Sequence, residues 1–175
     1  MPRYLRAVVP GGTFFFTVAL LDRRRQLLTE NIDLLRKAFQ AARRRRPFAI
    51  EAIVILPDHL HCIWTLPPGD ADFSTRWHDI KARFAAKIPP GEQLSERRLK
   101  KGERGIWQRR FWEHAIRDER DYQRHVDYIH YNPVKHGHVT RVAAWPYSSF
   151  HRFVGRGVYT IDWAADNDVR RLEME

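Results

Sequence analysis

The chain has 175 residues, 43% hydrophobic and 13% aromatic, which suits one globular unit with a sizeable core and excludes a disordered chain. Its formal net charge of +10 favours a polyanionic partner, nucleic acid foremost. The single cysteine, Cys62, excludes an internal disulfide or a cysteine-based zinc cluster and fits a reducing cytoplasm, and no apolar run approaches the ~20 residues that span a bilayer.

Met1 to Arg6 lacks the apolar core and cleavage site of a secretory signal, and no internal repeat is visible. Gly11-Gly12 marks a turn or a close backbone approach before Thr13 to Leu20, a β-branched and aromatic run that reads as a buried strand. Thr29 with Glu30 and Asn31 reads as a helix start. Ile32, Leu35, Ala38, Phe39 and Ala42 then recur at helical spacing up to Arg43-Arg44-Arg45-Arg46-Pro47. Those four arginines suit either a helix C-terminus or a phosphate-contact patch.

Phe48 to Leu56 is expected to be the second strand, with Ile50, Ala52, Val54 and Leu56 on one face. A turn at Pro57-Asp58 leads into the third strand, His59 to Leu66, so the two form a hairpin. Phe73 to Lys87 reads as a helix with Phe73, Trp77, Ile80 and Phe84 as its apolar stripe, ended by Pro89-Pro90-Gly91. Glu92 to Gly105 reads as a mobile basic loop. Ile106 to Arg117 is the fourth strand region. Asp118 opens a further helix with Tyr122, Val126 and Ile129 inward, and Pro133 sets its approximate end. An aromatic tail follows. The order gives an α+β fold, a ferredoxin-like βαββαβ sandwich with an antiparallel sheet covered by helices on one face. Residues 1–175 are expected to form one unit, with a core over about 6–138 and a tail over 139–175.

Two positions carry chemistry. His59 and His61 lie two apart on a strand, so their imidazoles share a face while Leu60 and Cys62 point into a core. Two parallel imidazoles on a rigid element make half a metal site. Tyr128 and Asn132 lie four apart on a helix and also share a face. If that helix packs against the histidine strand, the set is two imidazoles, an amide oxygen and a phenol. Such donors suit Mg²⁺ or Mn²⁺ bridging to a phosphate oxygen, with Tyr128 attacking phosphorus. A free phenol has a pKa near ~10, so a cation beside it is needed: Lys135, His130 or the metal. Each residue also has a plainer reading: Tyr128 as an interfacial core residue, His130, Tyr131, His136 and His138 as surface groups, Trp107 and Trp112 as core.

Together the motifs resemble a known family. Pro57-Asp58-His59-Leu60-His61 looks like the histidine–apolar–histidine motif of single-tyrosine transposases. Tyr128-Ile129-His130-Tyr131-Asn132-Pro133-Val134-Lys135-His136-Gly137 resembles the nucleophile helix of their REP-associated branch, domesticated bacterial relatives of insertion-sequence transposases. Gly11 to Thr17, Ile106 to His114 and Trp145 to Ser149 are similar to that branch too, and the match runs over nearly the whole chain. The resemblance implies a metal-dependent endonuclease and strand transferase for single-stranded DNA at hairpin-forming palindromic repeats, working through a 5′-phosphotyrosine. It makes His59 and His61 metal ligands, Asn132 the third ligand and Tyr128 the nucleophile. Insertion-sequence relatives typically have glutamine as third ligand and work as dimers; the Asn and the aromatic tail fit the REP-associated branch, where a monomer is expected. The basic loop departs from the pattern as an apparent insertion. Tyr131 falls off the Tyr128–Asn132 face. Arg23, Arg24, Arg43, Arg44, Arg45, Arg46, Arg109 and Arg110 are expected to contact phosphates. The rival reading is a non-catalytic module that binds single strands or hairpins.

Overall fold

A computed structural model describes residues 6–89 and 94–174. Four strands, β1 (Thr13–Ala19), β2 (Ala49–Ile55), β3 (His59–Thr65) and β4 (Trp112–Ala115), form one sheet in the order β2-β3-β1-β4, each neighbouring pair antiparallel. Helices α1 (Leu27–Glu30) and α2 (Ile32–Arg45) connect β1 to β2. Helices α3 (Phe73–Lys87) and α4 (Glu96–Lys100) connect β3 to β4. This is the ferredoxin-like arrangement expected. Gly11 turns the chain into β1 at a φ of 67°, and a side chain at Gly12 would meet Val9 O at 2.8 Å, so both glycines are required.

Strand parity divides the interior. Phe14, Phe16, Val18, Leu60, Cys62 and Trp64 face α2 and α3, where Trp64 stacks on Trp77 at 4.2 Å. The expected stripes Leu35–Ala38–Phe39–Ala42 and Phe73–Trp77–Ile80–Phe84 are the buried ones. The opposite face is not bare, as the expectation of helices on one side implied. Phe15, Ala52, Val54 and Ile63 pack there against α5 (Glu119–Lys135) and the tail helix α6 (Phe150–Gly155). The reason is compositional: six of the seven β3 residues are buried, so both sheet faces need cover.

Other boundaries move for local reasons. A β-bulge between Ile50 and Ala52 breaks the alternation expected in β2. Ile50 therefore shares the α2 side with Ile53 and Ile55, while Ala52, Val54 and Leu56 face α5. Thr29 is not a helix cap but sits inside α1, its hydroxyl on Gln26 O at 3.3 Å, and the helix is interrupted at Asn31 before α2. Pro133 lies inside α5, which runs on to Lys135. Gly137, at a φ of 73°, then ends the helix with its N–H on Val134 O. Trp107 is buried as expected, but Trp112 is 40% exposed, because β4 is short and at the sheet edge. Pro90-Gly91, Glu92 and Met1 to Leu5 lie outside the described residues. Between Leu94 and Gly105 the expected mobile loop is instead braced. It holds α4, Glu103 pairs with Arg98 and Arg109, and Arg104 donates to Ala85 O and Ile88 O at 2.7 and 2.9 Å.

The tail ends in α7 (Asn167–Arg170), and its earlier stretch Trp145–Ser149 runs along the outer edge of β2. Ile55 N–H donates to Tyr147 O at 2.8 Å and Ser149 N–H to Ile53 O at 2.9 Å. Trp145 Nε1 donates to Ile55 O at 3.0 Å. Among the described residues, no helix is long and apolar enough to cross a membrane.

Candidate active site

His59 and His61 stand on the α5 face of β3, both buried, their ring centres 4.9 Å apart. The rings are nearly perpendicular, at 84°, not parallel as expected, because each is turned by its own partners. His61 pairs in register with Thr17 and stacks on Phe15 at 5.6 Å. Thr17 Oγ1 gives its proton to Met174 O at 2.8 Å, so it can only accept from His61 Nδ1, also at 2.8 Å. The proton of His61 is therefore on Nδ1, and its Nε2 is a buried lone pair with no hydrogen-bond partner among the described residues. Burial, then the charges of His59, His136, Lys135 and Arg23, push the His61 pKa well below the ordinary value, which keeps the ring neutral, the form that ligates metal.

Asp58, read from sequence as part of a turn, orients His59. Its Oδ1 lies 2.8 Å from His59 Nδ1 and its Oδ2 takes Arg23 Nε at 2.5 Å. Burial raises the Asp58 pKa, but the hydrogen bonds from His59 and Arg23 outweigh it and hold the carboxyl well below the usual range. The ionised carboxylate accepts a hydrogen bond from His59 Nδ1–H, which leaves Nε2 as the ring's lone pair, the usual arrangement behind a ligating imidazole.

Helix α5 brings the other half. Asp118 caps it by accepting from Asp121 N at 2.8 Å. Tyr128 and Asn132, both fully buried, face β3 as their spacing predicted, and the Tyr128 ring lies 5.3 Å from that of His61. Neither Asn132 Oδ1 nor Nδ2 has a hydrogen-bond partner among the described residues. A buried amide oxygen on the helix face of Tyr128, and a buried imidazole lone pair next to a second imidazole, both unsatisfied among the described residues, are donor types that fit a Mg²⁺ or Mn²⁺ ion.

Of the two side-chain cations considered for Tyr128, Lys135 is the one that stands beside its hydroxyl. Its Nζ donates to Tyr128 Oη at 3.4 Å and to Leu172 O at 2.7 Å, and stands 4.9 Å from the ring centre. Met174 N–H also reaches Tyr128 Oη at 3.4 Å, so the tail lies over the hydroxyl. His136, read as a surface group, is exposed but holds its ring 5.0 Å from that of His59. Tyr131 is off the site, beneath Arg170 at 6.0 Å.

His130 points the other way and is no cation. Tyr159 donates to Asp127 Oδ1 at 2.6 Å, so its oxygen accepts from His130 Nδ1 at 3.2 Å. That leaves His130 Nε2 as the acceptor for Ser149 Oγ at 2.8 Å, and Ser149 Oγ in turn accepts from Ile53 N–H at 2.9 Å. The result is one directional chain from β2 through the tail to α5. Burial, then the charge of Arg152, lowers the His130 pKa to about 3.

A second titratable cluster, unforeseen from sequence, joins β4 to the start of α5. His114 Nε2 lies 2.8 Å from Asp121 Oδ2, and His125 Nδ1 lies 3.3 Å from Asp121 Oδ1 and 2.7 Å from Asp121 O. These are metal-ligand types, but the two rings stack at 4.7 Å and 11°, which sets their in-plane lone pairs side by side. Arg117 N–H also occupies Asp121 Oδ2. The cluster is a brace between strand and helix.

The eight arginines expected on phosphate do not form one patch. Arg23 serves Asp58; Arg24 pairs with Asp22 at 3.0 Å. Arg43 donates to Phe48 O at 3.1 Å and, with Arg44, borders a groove on the α2 side; Arg45 and Arg46 are exposed beside them. Arg109 pairs with Glu103 at 3.0 Å, and Arg110 is exposed.

Comparison with known proteins bears on the family and the fold. Residues 15–132 match the family described as IS200-like transposases. A REP-associated tyrosine transposase of Escherichia coli (strain K12) is 54% identical over 166 residues, covering 95% of this chain and 93% of the relative. A relative from Haemophilus influenzae is 45% identical over 171 residues, covering 97% of each. A solved REP-associated tyrosine transposase bound to a REP hairpin superposes with a TM-score of 0.82 at 54% identity, covering 95% of this chain and 93% of that one.

Proposed function

The chain belongs to the REP-associated tyrosine transposases, within the IS200-like transposase family, and on that footing we propose that it nicks and rejoins single-stranded DNA at hairpin-forming palindromic repeats through a 5′-phosphotyrosine. The observation that carries this reading is Tyr128 buried against His61, with the unsatisfied Asn132 one helical turn on. REP hairpin DNA, the ligand of the solved relative, is the substrate class proposed.

His59, His61 and Asn132 would hold a Mg²⁺ or Mn²⁺ ion. When bound, the ion supplies positive charge against the scissile phosphate. The chain's own residues do the rest. Lys135 favours the phenolate of Tyr128 by its charge. Tyr128 Oη forms a bond to phosphorus and loses its proton, while the bond from phosphorus to O3′ breaks and O3′ takes up a proton. The products are a 5′-phosphotyrosine and a free 3′-hydroxyl. Attack of that or another 3′-hydroxyl on the linkage reverses the step and rejoins DNA without ATP. Asp58 and Thr17 fix the two imidazole tautomers throughout.

Core and tail act as one unit in this reading, and as a monomer. Support comes from the edge of β2, whose Ile53 and Ile55 backbone groups are already bonded by Tyr147 and Ser149, so pairing with a second copy there is blocked.

The test is a denaturing gel of the protein with labelled palindromic single-stranded DNA from beside its own gene, with Mn²⁺ or EDTA. The expected result is a metal-dependent band shifted by the protein's mass and absent in Tyr128→Phe. Cleavage that survives Tyr128→Phe would mean that water is the nucleophile. Tight binding with neither product would leave a binding module.

A further inference from the structure

A strongly basic concavity lies apart from Tyr128. It is a groove of about 930 Å³ between α2, the outer edge of β2 and the tail segment Pro146–Arg152. It opens on the α2 side of the sheet, the side away from the histidines. Five basic side chains border it, Arg36, Lys37, Arg43, Arg44 and Arg152, against one carboxylate, Asp33. Asp33 meets Arg36 only at 3.5 Å with both side chains exposed, so the groove keeps a strong positive excess. Its floor is different in kind: Phe48, Ile50, Ile53 and Ile55 are apolar, and Tyr147 adds an aromatic ring with Arg36 5.8 Å from its centre.

The β-bulge in β2 makes this floor, because it turns Ile50 to the same side as Ile53 and Ile55. The arginine run at the end of α2 makes the rim. A cationic rim around an apolar and aromatic floor matches a strand whose phosphates meet the rim and whose unpaired bases reach the floor. A duplex stem would use the rim and leave the floor idle, since its bases are stacked inside.

We propose that this groove holds unpaired nucleotides of the DNA substrate, at a place separate from the strand that reaches Tyr128. The inference rests on the DNA-processing reading above and names a second contact surface for it.

The test reads binding alone, in EDTA, by fluorescence anisotropy of the full chain. The probes are a fluorescein-labelled hairpin with an unpaired loop and a blunt duplex of the same stem. The triple variant Arg36→Ala, Lys37→Ala, Arg44→Ala should bind the hairpin at least about tenfold more weakly and lose less on the duplex. Its slope of log affinity against log salt should fall by about 2, three contacts at ~0.7 each on single strands. Tyr147→Ala should weaken the hairpin about tenfold and leave the salt slope unchanged. Equal losses on hairpin and duplex would overturn the assignment of unpaired nucleotides. Unchanged affinity and slope in both variants would overturn the groove as a DNA site. A chain that forms no covalent adduct yet shows these losses keeps the groove and loses the nuclease, so the two failures are distinguishable.

Discussion

Lowering the pH should unlock α5 through His130. This imidazole is buried and neutral, both nitrogens are bonded, and its pKa stands at about 3 against an ordinary 6.5. A depressed histidine value means that stability is complete above about pH 6.5 and falls as the pH drops toward 3, because the unfolded chain takes up a proton that the folded one refuses. At pH 5 the deficit from this one residue works out at about 2 kcal/mol. Asp127, whose pKa burial raises, works in the opposite direction, while His61 and His125, also depressed, contribute in the same direction, and all three are common to both proteins compared. Urea unfolding at about pH 7.5 and pH 5, on wild type and His130→Gln, isolates the residue. Gln does not titrate, so its loss between the two pH values should be smaller than that of wild type by about 2 kcal/mol. Parallel pH dependence in the two proteins would refute the assigned neutral, doubly bonded imidazole.

Three further outcomes follow from the same geometry. Asp58→Asn removes the carboxylate that accepts from His59 Nδ1–H; Mn²⁺ affinity measured by calorimetry should fall about 10- to 100-fold while the melting temperature changes little. Lys81 donates to Gln108 O at 2.7 Å, and burial lowers its pKa to about 8, so stability should rise with pH above 8 as the folded chain releases its proton first. At pH 9.5 that gain is about 2 kcal/mol, and Lys81→Met should abolish the rise in a denaturant series. Ser149→Pro removes both the N–H and the hydroxyl that hold Ile53; light scattering should then show concentration-dependent self-association through the uncovered β2 edge, where wild type stays monomeric.

The site was legible where it followed periodicity and illegible where it followed contact between distant segments. His59 and His61 alternate with Leu60 and Cys62, and Tyr128 and Asn132 are a turn apart; both facts are local, so the sequence displayed the two halves. The parity rule failed in β2, because a bulge costs one residue of register and leaves no compositional mark at Glu51. Asp58 reads as turn chemistry because Pro57-Asp58 is a common turn pair, and only the fold brings Arg23 to its other oxygen. Lys135 and His130 are equivalent as letters near Tyr128. The fold separates them: Lys135 sits seven residues on and reaches the hydroxyl, while His130 points to Ser149 and Tyr159. The four arginines at the end of α2 carried two readings, and their true surroundings depend on a bulge and a tail that sequence did not place.

The aromatic core on the far side of the sheet aims the histidine face without touching it. In the observed register Thr17 stands opposite His61, and Phe16, Phe14 and Val18 stand opposite Cys62, Trp64 and Leu60. A slip of one residue would turn every β3 side chain over. Both imidazoles would then enter an apolar layer, at ~1–3 kcal/mol for each unsatisfied polar group. Trp64 would leave its stack on Trp77 and its contact with Phe48 at 4.1 Å. The same register that faces His61 toward Tyr128 also sets Thr17 against its Nδ1, and Thr17 can only accept there because its own proton goes to Met174. Facing, tautomer and lone-pair direction at His61 are therefore one consequence of how Trp64 packs, three residues further along β3 and on its other face.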